Sequence, residues 1–238
     1  MRVAAISDIH GNLPALEAVL ADIDASGVDL IVVCGDVAAG PMPAETIDRL
    51  RALGNRARFV RGNADRYILE APDDRSRWMA DRLDEGQLAF LRAFEPRVDL
   101  DVDGLGRVTF CHAAPASDEV PIITAETPGD VVSGALAQTD AGVIVAGHTH
   151  HQFDRTVDGG RFVNAGSVGL PYADGPGAYW TLVGPGVEPR RTGYDYAATA
   201  AAVRALDYAD REAFAENVER PRSASSTIDL FERMAGRR

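Results

Sequence analysis

The chain predicts an α/β fold: a four-layer α-β-β-α sandwich with two packed mixed sheets and a C-terminal helical extension. Three observations predict it. In the first third, short apolar runs alternate with stretches of helical period, giving β-α-β-α-β. In the second half, apolar runs pair about glycine-containing turns, which reads as antiparallel hairpins. Several of the apolar runs end in histidine, aspartate or asparagine, and α/β sheets gather their ligands at strand ends.

The elements follow in order. Val3–Ile6 is a buried strand, and Leu13–Ala25 is helical, with Leu16, Val19, Leu20 and Ile23 on one face. Asp29–Cys34 is the next strand, and Ala44–Leu53 repeats the helical period behind Pro41 and Pro43. A short strand spans Arg58–Val60, and Trp78–Phe94 contains a further helical stretch, with Leu88, Leu91 and Phe94 on one face. Arg97–Val102 and Arg107–His112 form a hairpin about Gly104-Leu105-Gly106. A helix over Thr127–Gln138 leads to the strand Val143–Ala146. Phe153–Val157 and Arg161–Val163 pair about Asp158-Gly159-Gly160, and Gly177–Val183 and Glu188–Gly193 complete the strands. From Tyr194 the character changes, with helices over Ala197–Leu206, Asp210–Asn217 and Thr227–Met234. Thr227 is a candidate N-cap for the last, after a loop at Pro221–Ser226. The expected organisation is one domain over 1–195 and a helical extension over 196–238 packed on it.

Composition narrows the function classes. With 238 residues, 46% hydrophobic and 25% charged, the chain is an ordinary globular protein. No apolar run reaches the length of a membrane span, and the opening Met1-Arg2-Val3 has no signal-peptide character, so a cytoplasmic protein is expected. A net charge of -12 argues against general nucleic-acid binding, although every basic residue is an arginine. Cys34 and Cys111 are too few for a disulfide framework and read as buried small side chains.

The chemistry lies in an ordered set: Asp8-Ile9-His10, Gly35-Asp36, Gly62-Asn63, His112 and Gly147-His148-Thr149-His150. Imidazole, carboxylate and amide oxygen together suit borderline divalent metals. Seven such groups exceed the needs of one four-coordinate ion and suffice for two ions sharing a bridge. Each also has a plainer reading: Asp8 and Asp36 as helix caps, His112 as a satisfied core histidine. It is the whole set, each member behind a strand, that favours ligation.

This ordered set, with the segment Asn164-Ala165-Gly166-Ser167-Val168-Gly169-Leu170-Pro171, resembles the calcineurin-like metallophosphoesterase family over about residues 1 to 195. The likeness is strongest to the small bacterial and archaeal branch related to diadenosine-tetraphosphate hydrolases. The resemblance implies a phosphomonoesterase or phosphodiesterase that works through a dinuclear centre and a metal-bound hydroxide. It implies that Asp8, His10 and His150 hold one ion, that Asn63, His112 and His148 hold the other, and that Asp36 bridges. Asp36, Asn63 and His112 would then be the catalytic residues. The ions are Mn, Fe, Ni, Co or Zn, with identity open. The chain departs from many relatives at Ala64, where they carry a histidine that contacts phosphate or protonates the leaving group.

Other residues keep two readings. Asn12, Arg61 and Tyr172 are candidate substrate contacts; Arg61 reads equally as an ion-pair partner. His151 reads as a surface residue, with a proton relay as the alternative, and Asp65 as a residue that orients a neighbour. The expected partner is a small phosphorylated substrate, and whether the chain forms a homo-oligomer is open. The rival function is a protein-binding scaffold with weak catalysis, like the superfamily's retromer subunit; retention of all seven ligand types favours the enzyme. A hydrolase of non-phosphate substrates is a third reading, which the resemblance disfavours.

Overall fold

A computed structural model describes residues 1–238. Three parallel strands open it: β1 (Val3–Ile6), β2 (Leu30–Val33) and β3 (Ala57–Phe59), connected by α1 (Leu13–Ser26) and α2 (Pro43–Arg51). Three short helices follow: α3 (Asn63–Glu70), α4 (Asp74–Ala80) and α5 (Glu85–Arg92). A second sheet begins with β4 (Val98–Val102) and β5 (Gly106–Phe110), crosses by α6 (Gly129–Leu136) to β6 (Val143–Ala146), and adds the hairpin β7 (Phe153–Val157) and β8 (Gly160–Asn164). The chain returns to the first sheet with β9 (Ala178–Val183) and β10 (Val187–Thr192). It ends in α7 (Tyr196–Arg204), α8 (Arg211–Glu219) and α9 (Ala224–Met234).

The sheets run β10-β9-β1-β2-β3 and β4-β5-β6-β8-β7, and each mixes parallel and antiparallel pairs. Strand period explains how they stack. Val3, Ala5 and Val32 face one way and pack with Val108, Phe110, Val145 and Val163 of the second sheet. Ala4, Ile6, Ile31 and Val33 face the other way, under Leu16, Val19 and Ile47 of α1 and α2. On the far side of the second sheet, Ile144, Ala146 and Phe162 meet Val132, Ala135 and Leu136 of α6. This is the α-β-β-α sandwich, made by apolar residues on both faces of strands buried on both sides. No helix is long and apolar enough to cross a membrane.

The structure refines three local expectations. The helical stretch within Trp78–Phe94 is α5, which carries Leu88 and Leu91, and the earlier α4 stops near Ala80 before α5 starts anew. The restart is a capping box: Asp84 accepts from the Gln87 amide at 2.7 Å and Gln87 accepts from the Asp84 amide at 3.0 Å. Helix α3 was hidden because its first residues belong to the Gly62-Asn63 motif. Thr227 does not cap α9. Ser223 does, accepting from the Ser226 amide, so the helix begins inside the expected loop at 221–226.

The last helix is tied to the body by a buried acid. Glu232, 2% exposed, accepts from Thr124 Oγ1 at 2.5 Å, Thr127 Oγ1 at 2.7 Å and Arg237 Nε at 2.6 Å. Hydrogen bonds from Arg237 outweigh burial and bring its pKa from 4.5 down to about 2. A depressed acid stabilises the fold above its unfolded pKa, and that contribution fades as pH falls from 4.5 through about 2. Glu232→Ala should therefore cost about 2 kcal/mol at neutral pH. Denaturant unfolding should show that difference vanishing at acid pH; a constant difference across that window would contradict it.

Candidate metal centre

The seven expected ligands converge where the two sheets meet. Asp8 and His10 follow β1, Asp36 follows β2, Asn63 opens α3 after β3, His112 follows β5, and His148 and His150 follow β6. One oxygen or nitrogen from each of Asp8, His10, Asp36 and His150 lies within 4.8 Å of the others, and all four residues are buried. His150 Nε2 is 3.3 Å from Asp8 Oδ1, and His10 Nε2 is 3.7 Å from Asp36 Oδ2. Beside this group, His112 Nε2 lies 3.4 Å from Asp36 Oδ2 and 3.1 Å from Asn63 Oδ1. The His148 ring stands edge-on to His112 at 5.1 Å. Asn63 and His148 are only half-buried, so this side of the centre faces solvent.

The backbone is strained to make this convergence. Six non-glycine residues have positive φ, and five of them are ligand candidates: Asp8, His10, Asp36, His148 and His150. Left-handed backbone in non-glycine residues is costly and collects at functional sites. It turns each side chain back across the strand end. The motif glycines then admit the close approach. A Cβ on Gly62 would lie 2.1 Å from Asp36 Oδ1, and one on Gly147 would lie 1.9 Å from Ser7 Oγ and 2.5 Å from Asp8 Oδ2.

Orientation of the imidazoles fits a cation. His10, His112 and His150 each place Nδ1 on a backbone carbonyl, of Ala39, Cys34 and Leu170, at 3.1, 2.6 and 2.7 Å. Donating there turns each Nε2 inward, where its lone pair is available to a cation once the ring is neutral. His10 Nε2 and His150 Nε2 then stand 3.1 Å apart, lone pair against lone pair, unless a proton or cation lies between them. The pKa values carry the same strain. Burial lowers His10 to about 4, and lowers His148 to about 4. Burial would also lower His112, but the Asp36 carboxylate overcomes it and raises the imidazole to about 10. Burial would raise Asp36, yet His112 holds it well below the usual carboxylate range.

A further set of residues braces the ligands. Asp65 accepts from the amides of Asp36, Val37 and Gly62 at 2.8, 2.9 and 3.0 Å, tying the β2 and β3 turns together. Ser167 Oγ donates to the Asp8 carbonyl at 2.7 Å. Asn164 donates to the carbonyl of Gly147 at 2.5 Å, and the His148 amide donates to Asp8 Oδ2 at 3.0 Å. The sequence points to an orienting role for Asp65 but to none for Asn164 or Ser167. Their signal was a polar residue beside a motif in an otherwise apolar stretch.

The remaining candidates separate. Asn12 is not free for substrate: it caps α1 by accepting from Ala15 and donates to Gly169 O and Tyr194 Oη. His151 is not at the surface; it is 2% exposed, with Nδ1 on Thr149 O and Nε2 accepting from the Ala125 amide. Both nitrogens are thus occupied, which removes the relay reading. Tyr172 stacks on His150 with ring centroids 4.9 Å apart. Arg61 forms no ion pair; it lines a cavity with Arg66, Pro115 and Ser117, and its buried Nε has no partner. Cys34 and Cys111 are buried free thiols, both raised in pKa by burial.

Residues 1–183 match the family model described as the calcineurin-like phosphoesterase superfamily domain. The chain belongs to this superfamily. It is 30% identical over 194 residues to an uncharacterized protein of Methanocaldococcus jannaschii, covering 77% of this chain and 74% of that one. A 77-residue stretch is 38% identical to phosphodiesterase YfcE of Escherichia coli, covering 29% of this chain and 42% of YfcE. The crystal structure of a metallophosphoesterase from Sphaerobacter thermophilus superposes with a TM-score of 0.72 at 27% identity, covering 92% of this chain and 98% of that one. As a calcineurin-like phosphoesterase the chain is expected to depend on metal, and its buried Asp and His cluster has the chemistry to hold it.

Two outcomes follow from this geometry. Gly62→Ala should weaken divalent-metal affinity roughly 10–100-fold, as disturbance of a ligand's support typically does; calorimetric titration with Mn²⁺ checks it, and wild-type affinity would contradict it. Metal uptake should release protons, because His112, raised to about 10, is protonated near neutrality without a cation. Apparent affinity should therefore rise with pH. Titrations in buffers of different ionisation enthalpy should report a net release at neutral pH, and no release would refute it.

Proposed function

We propose that this protein is a dinuclear metal-dependent phosphoesterase acting on a small phosphorylated substrate. The observation that carries this reading is the place of Asp36. Its Oδ2 reaches 3.7 Å from His10 on one side and 3.4 Å from His112 on the other. A carboxylate can serve two cations at once, and an imidazole cannot. Asp8, His10 and His150 would hold one ion, Asn63, His112 and His148 the second, with Asp36 between them. The two ions would polarise the phosphoryl oxygens and acidify a water at neutral pH. The match to YfcE, named as a phosphodiesterase, supports phosphoester chemistry.

The chain's own residues position and exclude. Asp65 and the Ala64 amide, which donates to Asp36 Oδ1 at 2.8 Å, hold the bridging carboxylate in place. The half-buried Asn63 and His148 leave the approach for substrate on that side. Arg61, two residues before Asn63, lines a separate cavity with Arg66 and Ser117, and its guanidinium is suited to an anion there. No side chain at Ala64 can deliver a proton to the leaving group. The two candidates for a substitute acid are engaged elsewhere, Asp65 by three amides and His151 by Thr149 and Ala125. The scaffold reading gives no account of five strained ligand positions.

Hydrolysis should therefore be abolished by chelation and restored by divalent ions. Asp36→Asn should lower kcat at least about a hundredfold with the fold intact, whereas Cys34→Ser and Cys111→Ser should retain most of the rate. Metal analysis finding one ion or none in metal-replete protein would overturn the dinuclear reading. Without a general acid, which contributes about 10²–10⁴-fold elsewhere, rates should fall steeply as leaving-group pKa rises. A series of aryl and alkyl phosphoesters measures that slope; a flat slope would show that another acid serves.

A further inference from the structure

Beyond residue 183, where the family match ends, the chain adds α7, α8 and α9. α7 and α8 close an apolar cluster around Tyr208 and Phe214, and Leu170 and Trp78 pack against it. Between α4, α8, the segment that joins α8 to α9 and the loop at Leu170–Tyr172, a cavity of about 200 Å³ remains.

This cavity adjoins the metal centre. Tyr172 lines it and also stacks on His150. Leu170 lines it too, and its carbonyl accepts the Nδ1 hydrogen of His150 at 2.7 Å.

The lining is built for an anion with a polar neighbour. Arg222 is exposed and engages no carboxylate. Arg75 touches Tyr208 Oη and Asp210 Oδ2, each at 3.1 Å, and its pair with Asp210 is about half exposed and so weakly held. Asn217 is only 8% exposed, and its buried Oδ1 has no hydrogen-bond partner. Buried amide oxygens are normally satisfied, and a ligand hydroxyl or N–H would satisfy this one. Guanidinium groups suit phosphate through paired N–H donors. At this volume the cavity takes a phosphate and part of its carrier, not a polymer.

We propose that this cavity is a second anion-binding subsite, and that the substrate is a small phosphoester bearing a second phosphate. The proposal rests on the phosphoesterase reading above. It makes the C-terminal extension, through Arg222 and together with Arg75 of α4, the element that selects substrate.

The test compares two esters on the metal-loaded full chain: the 4-nitrophenyl ester of thymidine 5′-phosphate, and the same ester carrying a 3′-phosphate. The wild type should favour the bisphosphate by about tenfold or more, in KM rather than kcat. In the exposed double variant Arg75→Ala/Arg222→Ala that preference should fall toward one, with the loss in KM for the bisphosphate ester. No preference in the wild type, or a preference that survives both substitutions, would overturn the subsite. If no metal supports turnover of either ester, the phosphoesterase reading fails separately. Calorimetric titration with thymidine 3′,5′-bisphosphate then decides: binding that is lost in the double variant supports the subsite, and absent or unaltered binding overturns it.

Discussion

The Asp36 carboxylate stands 3.7 Å from His10 and 3.4 Å from His112, and much of the site exists to keep it there. Its Oδ1 accepts from the Ala64 amide, and its own amide donates to Asp65. A side chain larger than hydrogen at Gly62 would occupy the space of its carboxylate. Two imidazole groups on either side hold it ionised despite complete burial. A buried carboxylate is tolerated only when paired and hydrogen-bonded, and His112 and the Ala64 amide meet those two conditions here.

That arrangement needs a frame able to bear strain. Left-handed backbone at five ligand positions costs on the order of 1–3 kcal/mol each when unsupported. The two sheets provide support because β1, β2, β5 and β6 are locked by ladders on both sides. The Asn164–Leu170 loop then clamps the turns after β1 and β6, through Ser167 on Asp8 and Asn164 on Gly147. Ligand direction is thus decided by packing well behind the ligands.

The same frame explains an economy in the chemistry. The turn after β3 commits the Ala64 amide and the Asp65 carboxylate to holding Asp36, so neither is free to move a proton. What the site lacks in acid it can offset by the substrate's own leaving group. The region around Tyr172 is where the family-matched portion meets the added helices, and it joins a candidate metal ligand, an aromatic face and arginine side chains in one place.

By itself the sequence determined the layers and the candidate ligands. Short continuous apolar runs such as Val3–Ile6 and Val143–Ala146, each bounded by motif residues, read as strands buried on both faces, and a His, Asp or Asn behind such a run emerges at its end. Those signals are local, so they are legible without coordinates. Tertiary structure decided what depends on partners distant in the chain. Asn12 reads as a site residue until Gly169 and Tyr194 are seen to consume its amide. His151 reads as exposed until the Ala125 amide closes over it. Hydrogen bonds to partners outside the local pattern, 26 residues away at His151 and 157 at Asn12, choose among states that the pattern leaves degenerate, and that is why they appear only when the chain is folded.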